Sequence, residues 1–245
     1  MNEDDAVGGE LRTVGVLGGM SSQSTIEYYR LIDEGINDVR DGHHAAELLI
    51  RSVDFGTIER FIRTEQWGDA GEYLAAAATD LEAGGADFVV MATNTMHRVA
   101  PRLEAALSIP FVHIVDPTAD AIRAEGLDTV GVLGTRATME GAFYRERFEE
   151  RGIDVVVPDS SRFGELDRII FEELTKGEIR ESSRAFYLGA IDSLVERGAE
   201  GIVLGCTEIE LLVEQTDRPG VPLFDTTALH VERAVERSLA GKTDA

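Results

Sequence analysis

An α/β fold of two pseudo-symmetric, doubly wound domains, each with a mainly parallel sheet flanked by helices, is predicted by three observations. Short apolar strands end in glycine, threonine or cysteine, and helical stretches separate them. The strand pattern also occurs twice at nearly one offset. V-G-V-L-G-G at 14–19 returns as V-G-V-L-G-T at 130–135, 116 residues later. Asp87–Ala92, ending in Thr93-Asn94-Thr95, is answered 113 residues on by Gly201–Gly205, ending in Cys206-Thr207-Glu208. A weaker third pair, Ile109–Val112 and Val221–Phe224, leads in each case to an aspartate, Asp116 or Asp225.

In chain order, Leu11–Leu17 reads as a buried strand closed by Gly18-Gly19, with a helix from about Ser22 or Ser24. Leu48–Val53 is a second strand. Trp67–Ala83 has helical apolar spacing and stops at Gly84-Gly85, and Arg180–Arg197 stops likewise at Gly198. A last helix, about Thr227 to Leu239, is expected to pack back on the first half. The expected domains are residues 1–122 with 225–245, and 123–224, with the active site in the cleft between them.

With 245 residues, 43% hydrophobic and 28% charged, the chain can bury a sizeable core. No apolar run approaches the roughly 20 residues that span a bilayer. The start, Met1-Asn2-Glu3-Asp4-Asp5, is acidic where a signal peptide is basic and then apolar, so a cytoplasmic location is expected. A net charge of −23 argues against nucleic acid and anionic membranes as partners. Only Lys176 and Lys242 are lysines. Such a surface fits a high-salt cytoplasm, or simply an acidic protein of an ordinary cell. The single cysteine, Cys206, excludes an internal disulfide and is either a structural thiol or a reactive one.

In sheets of this kind ligands bind at the carboxyl ends of strands, where Gly18–Ser22, Thr93–Thr95, Thr135 and Cys206–Glu208 all fall. Backbone N–H groups at Asn94-Thr95 and Thr207-Glu208 are suited to a carboxylate at a helix start, with the Thr95 and Thr207 hydroxyls adding to the grip. The plain alternative is that these residues only cap helices. G-x-G-x-x-G and the P-loop pattern are missing, and no zinc spacing occurs: His43-His44 are adjacent, in an expected surface loop. No metal is expected.

The segments V-G-V-L-G-G-M-S-S-Q-S-T-I-E-Y-Y, T-N-T-M-H and L-G-C-T-E-I-E-L-L closely resemble the aspartate/glutamate racemase family, in order from about Thr13 to Leu239. The resemblance implies two pseudo-symmetric α/β domains, a homodimer and catalysis without pyridoxal phosphate or any other cofactor. It also implies an acidic amino-acid substrate whose α-proton is removed on one face and returned on the other, typically by two cysteines. Cys206 matches the second of these. The first is replaced by Thr93, whose hydroxyl is no resting base, so the site is expected to be asymmetric. Cys206, as a partly buried, helix-tuned thiolate, should readily deprotonate one enantiomer, with Thr93 as the opposing donor.

His97, four residues past Thr93, tunes that side or, more simply, packs structurally. Glu208 orients or repels a thiolate, or does neither. Lys176 resembles the family's substrate-binding lysine, though it also suits a helix end. Arg60 and Arg51 are alternative carboxylate clamps. Gly19, Met20 and Thr135 complete the expected substrate contacts. Two rival readings stand: a hydantoin racemase or maleate-isomerase-like enzyme, and a weakened homologue that only binds amino acids.

Overall fold

Four parallel strands form each of two separate sheets, and the strand orders are the same once the second set is renumbered. The computed structural model describes residues 9–40 and 42–241. The acidic stretch Met1–Asp5 and Lys242 lie outside the described residues.

The chain runs β1 (Val14–Gly18), α1 (Ser22–Arg40), β2 (Leu48–Ser52), α2 (Phe55–Arg63), α3 (Trp67–Ala83), β3 (Phe88–Met91), α4 (Ala100–Ala106) and β4 (Phe111–Val112). These strands lie in the order β2-β1-β3-β4. The second set is α5 (Val115–Ala124), β5 (Thr129–Gly134), α6 (Arg136–Glu140), α7 (Ala142–Glu149), β6 (Asp154–Val156), α8 (Ser160–Glu172), α9 (Glu181–Glu196), β7 (Gly201–Gly205) and β8 (Leu223–Asp225). Their order is β6-β5-β7-β8, and α10 (Thr226–Leu239) closes the chain. Among the described residues, no helix is long and apolar enough to cross a membrane.

Central parallel strands are covered on both faces, so they read as unbroken apolar runs rather than alternating ones. Accordingly every residue of β1, β3 and β7 is buried, whereas the edge strand β2 is open along most of its length. On α1, Ser24, Tyr28, Ile32 and Ile36 recur every four residues and form the buried stripe.

Two compact units result. The first takes the chain up to Ala92, Val99–His113 and the stretch from His230 onward; the second takes Thr93–Arg98 and Ile114–Leu229. In the first, α10 contributes Val231, Ala234 and Val235 to a core with Val14, Val16, Ile32 and Ile36. A side chain at Gly35 would meet Val235 at 2.8 Å, so α1 and α10 touch there through a missing Cβ. His230 locks the same corner: its Nε2–H donates to the Val112 carbonyl (2.9 Å), leaving Nδ1 to accept from Tyr28 Oη (2.7 Å). In the second unit, α5 supplies Val115, Ala119 and Ile122 to a core with Tyr144 and Phe148. The main division between the units therefore follows His113, ahead of α5.

Candidate active site

Four of the residues singled out from sequence follow central strands directly or nearly so. Gly19 follows β1, Thr93 comes two residues after β3, Thr135 follows β5 and Cys206 follows β7. Within the second sheet Gly134 and Gly205 are register partners, which brings Thr135 and Cys206 to the same end of adjacent strands. A Cβ on Gly134 would sit 2.9 Å from the Gly205 carbonyl, so only glycine permits that approach.

Cys206 is half-buried and donates its thiol to Glu208 Oε2 at 3.0 Å. The same oxygen accepts the Thr207 hydroxyl at 2.7 Å. Burial, and next the Glu208 carboxylate, push the thiol well above the ordinary cysteine range. Asp167 on α8 adds a smaller push of the same sign. Its own carboxyl is raised by burial, although it accepts the Arg136 amide at 2.7 Å. These surroundings oppose the readily formed, helix-tuned thiolate expected from sequence. The segment after Cys206 is a single 3-10 turn, Ile209–Leu211, too short to offer a helix dipole, and the neighbouring charge is negative.

The chain after β3 is likewise a 3-10 turn, Thr95–Val99. His97 lies on this turn, and both of its ring nitrogens are engaged by backbone groups. Its Nε2 accepts the Ile114 amide (3.2 Å), so Nδ1 carries the proton and donates it to the Thr93 carbonyl (2.7 Å). This is the structural role, and it holds the backbone of Thr93. The Thr93 side chain is partly exposed, with no side-chain hydrogen bond among the described residues.

The remaining expected contacts divide into two groups. Thr95 Oγ1 meets Thr135 Oγ1 at 3.1 Å, and Thr135 caps α6 by accepting the Thr138 amide. Asn94 is buried and its side chain is engaged by Tyr144 and Thr226. Gly19, at φ 87°, has its N–H bonded to Thr25 Oγ1 at 2.8 Å, and a Cβ there would lie 2.2 Å from the Val53 carbonyl. Its identity is therefore required by backbone packing. Met20 is buried beside it in sequence.

Lys176 is exposed at the end of a short 3-10 turn, just before Gly177 in the left-handed conformation. Arg60 is exposed on α2 with its guanidinium 4.6 Å from the Phe61 ring centre. Arg51 is committed to Asp80 at 3.1 Å, which weakens it as a carboxylate clamp. Tyr144, Thr226 and Asp167 were not singled out from sequence. Only Thr226 had a signal, since it follows Asp225 of the third repeat pair. Among the described residues, no group of three or more His, Cys, Asp or Glu side chains is arranged to hold a metal ion.

Residues 17–234 match the model of the Asp/Glu/hydantoin racemase family. The broad-specificity amino-acid racemase RacX of Bacillus subtilis is 24% identical over 93% of this chain and 98% of its own. The glutamate racemase of Roseiflexus is 34% identical over 68% of this chain and 60% of its own length. Among solved structures, one from Yersinia pestis, described provisionally as an Asp/Glu racemase, superposes with a TM-score of 0.88 at 45% identity, covering 94% of this chain and 100% of that one. An aspartate racemase homologue from Pyrococcus horikoshii superposes with a TM-score of 0.82 at 34% identity, covering 93% and 99%.

Proposed function

Because the chain belongs to the Asp/Glu/hydantoin racemase family, we propose that it racemises an acidic amino acid, aspartate or glutamate, without pyridoxal phosphate. Cys206 and Thr93 exchange the α-proton on opposite faces of the substrate. The observation that carries this reading is the Cys206 thiol held 3.0 Å from Glu208 at the carboxyl end of a central strand.

A thiol pushed upward needs somewhere to send its proton before it can act as a base. Glu208 Oε2 is that acceptor: the thiol proton passes to the carboxylate, and the resulting thiolate takes the α-proton. The electron pair of the broken C–H bond remains on the substrate carbanion. The Thr93 hydroxyl then delivers a proton from the other face and is replenished from water. A hydroxyl is a poor base, so the reverse entry through Thr93 is slow, and the enzyme prefers the enantiomer whose α-hydrogen faces Cys206. The hydroxyls of Thr95, Thr135 and Thr207 line the substrate, and Lys176 or Arg60 pairs with its side-chain carboxylate. A homodimer in the cytoplasm is part of the same reading.

The test incubates the protein in D2O with each enantiomer of aspartate and glutamate and follows the α-proton by NMR, with a Cys206→Ala variant alongside. Deuterium uptake with inversion, lost in the variant, is expected. No exchange with any of the four substrates, at low or high salt, refutes the assignment.

A further inference from the structure

The segment that carries Thr93 is fastened within the second unit by a buried polar chain that the proton-transfer chemistry leaves unused. Tyr144 on α7 donates its hydroxyl to Asn94 Oδ1 (2.9 Å), and Asn94 Nδ2 donates to Thr226 Oγ1 (3.0 Å). The Thr226 hydroxyl in turn donates to the Leu204 carbonyl of β7 (2.9 Å), two residues before Cys206. The directions are forced. A threonine hydroxyl has one proton, spent here on Leu204, so its oxygen accepts from Asn94 and the amide can face only one way. Tyr144, Asn94 and Thr226 are 1%, 4% and 0% exposed.

Burying an amide and two hydroxyls gives stability little advantage over apolar side chains of the same shape, and breaking one link leaves unpaired buried groups. What the chain does provide is a fixed span. It joins the peptide next to Thr93 to the strand end that presents Cys206 through two bonds of defined direction, and the Tyr144 hydroxyl holds the Asn94 amide from its other side. His97 and Thr95 add two further attachments, to the Ile114 amide and the Thr135 hydroxyl. We infer that Asn94, Tyr144 and Thr226 are positioning residues that set the separation of Thr93 from Cys206, and hence whether a proton removed on one face is returned on the other. The inference rests on the racemase reading for what the two residues do, but the tether itself is open to measurement without turnover.

The test compares wild type with Thr226→Val, which keeps the shape and removes the hydroxyl, and Thr226→Ser, which restores it. Tyr144→Phe removes the bond that holds the Asn94 amide from its other side. Hydrogen exchange in the ligand-free protein reads the tether, since the His97 amide is bonded to the Asn94 carbonyl. Thr226→Val and Tyr144→Phe are expected to speed exchange in 94–98 at least about tenfold, with Thr226→Ser near wild type. In D2O with the preferred enantiomer, the ratio of inversion to deuterium exchange should fall about tenfold in both broken variants, while exchange through Cys206 persists. Unchanged hydrogen exchange in both variants overturns the tether. Faster hydrogen exchange with an unchanged ratio overturns the positioning role and leaves a structural one. If wild type exchanges no α-proton, the racemase reading falls and takes the positioning role with it, whatever the tether measurement shows.

Discussion

Replacing Glu208 with glutamine should make Cys206 more acidic, and the size of the change can be worked from the structure. The Glu208 carboxylate oxygen lies 3.0 Å from Sγ, so forming a thiolate beside it places two negative charges in contact. Two unit charges at that distance repel by about 1.4 kcal/mol at the dielectric of water and about 5.5 kcal/mol at an effective dielectric near 20. At about 1.4 kcal/mol per tenfold, even the weaker repulsion is worth about tenfold in the thiolate population, and so in the alkylation rate below the midpoint. Burial, the larger cause of the raised thiol, is unchanged in the variant, so only the Glu208 contribution is removed and the thiol titrates lower. The glutamine amide can also donate to the thiolate, which acts in the same direction. The assay is the rate of alkylation by iodoacetamide against pH, followed by intact mass, and the single cysteine makes the readout unambiguous. A midpoint that stays put or moves up in Glu208→Gln refutes the view that this carboxylate holds the thiol protonated.

Other consequences are as direct. Glu173 is 1% exposed and accepts from Ser183, Arg168 and Arg180, with the Ser183 bond the largest cause holding its carboxyl below the ordinary range. Its stabilising effect is complete above the unfolded carboxyl's pKa and is lost as pH falls through the depressed folded value. Thermal melts should therefore show Glu173→Gln melting lower than wild type at pH 7, with the gap closing toward acid pH; a gap that widens on acidification contradicts the linkage. Gly19→Ala places a methyl 2.2 Å from the Val53 carbonyl at a positive φ, and denaturant titration should show a loss of at least about 2 kcal/mol. With a net charge of −23, the protein should gain melting temperature steadily from low salt to molar KCl; a flat response would mean self-repulsion is unimportant.

The elements visible in the sequence are those whose apolar pattern is both strong and closed by a stop signal. Trp67–Ala83 and Gly201–Gly205 coincide with α3 and β7, because glycines end the first and full burial makes the second an unbroken apolar run. β1 begins at Val14 rather than Leu11: Leu11 is buried, yet it lies outside the ladder, and burial without pairing looks the same in sequence. Short pieces such as β6, with three residues, and α6, with five, carry too little pattern to read. The residues at the strand ends were legible because the duplication marks them. Tyr144 was not, since a tyrosine in an ordinary helix gives no hint that its hydroxyl reaches Asn94, 50 positions away. The surroundings of Cys206 are not legible for a related reason: whether a helix or a carboxylate faces a thiol is decided by the turn after the strand.

The return of α10 to the first unit has a consequence for synthesis. Val231, Ala234 and Val235 belong to a core whose other members, from Leu11 to Val112, are made much earlier. All of the second unit, through Leu229, leaves the ribosome before those three residues do. The gap above Gly35 that Val235 fills must stay open, and the α10 share of that core must be missing, while more than 100 residues are translated. Domains usually mature in the order they are made. Here the unit begun first is the one finished last.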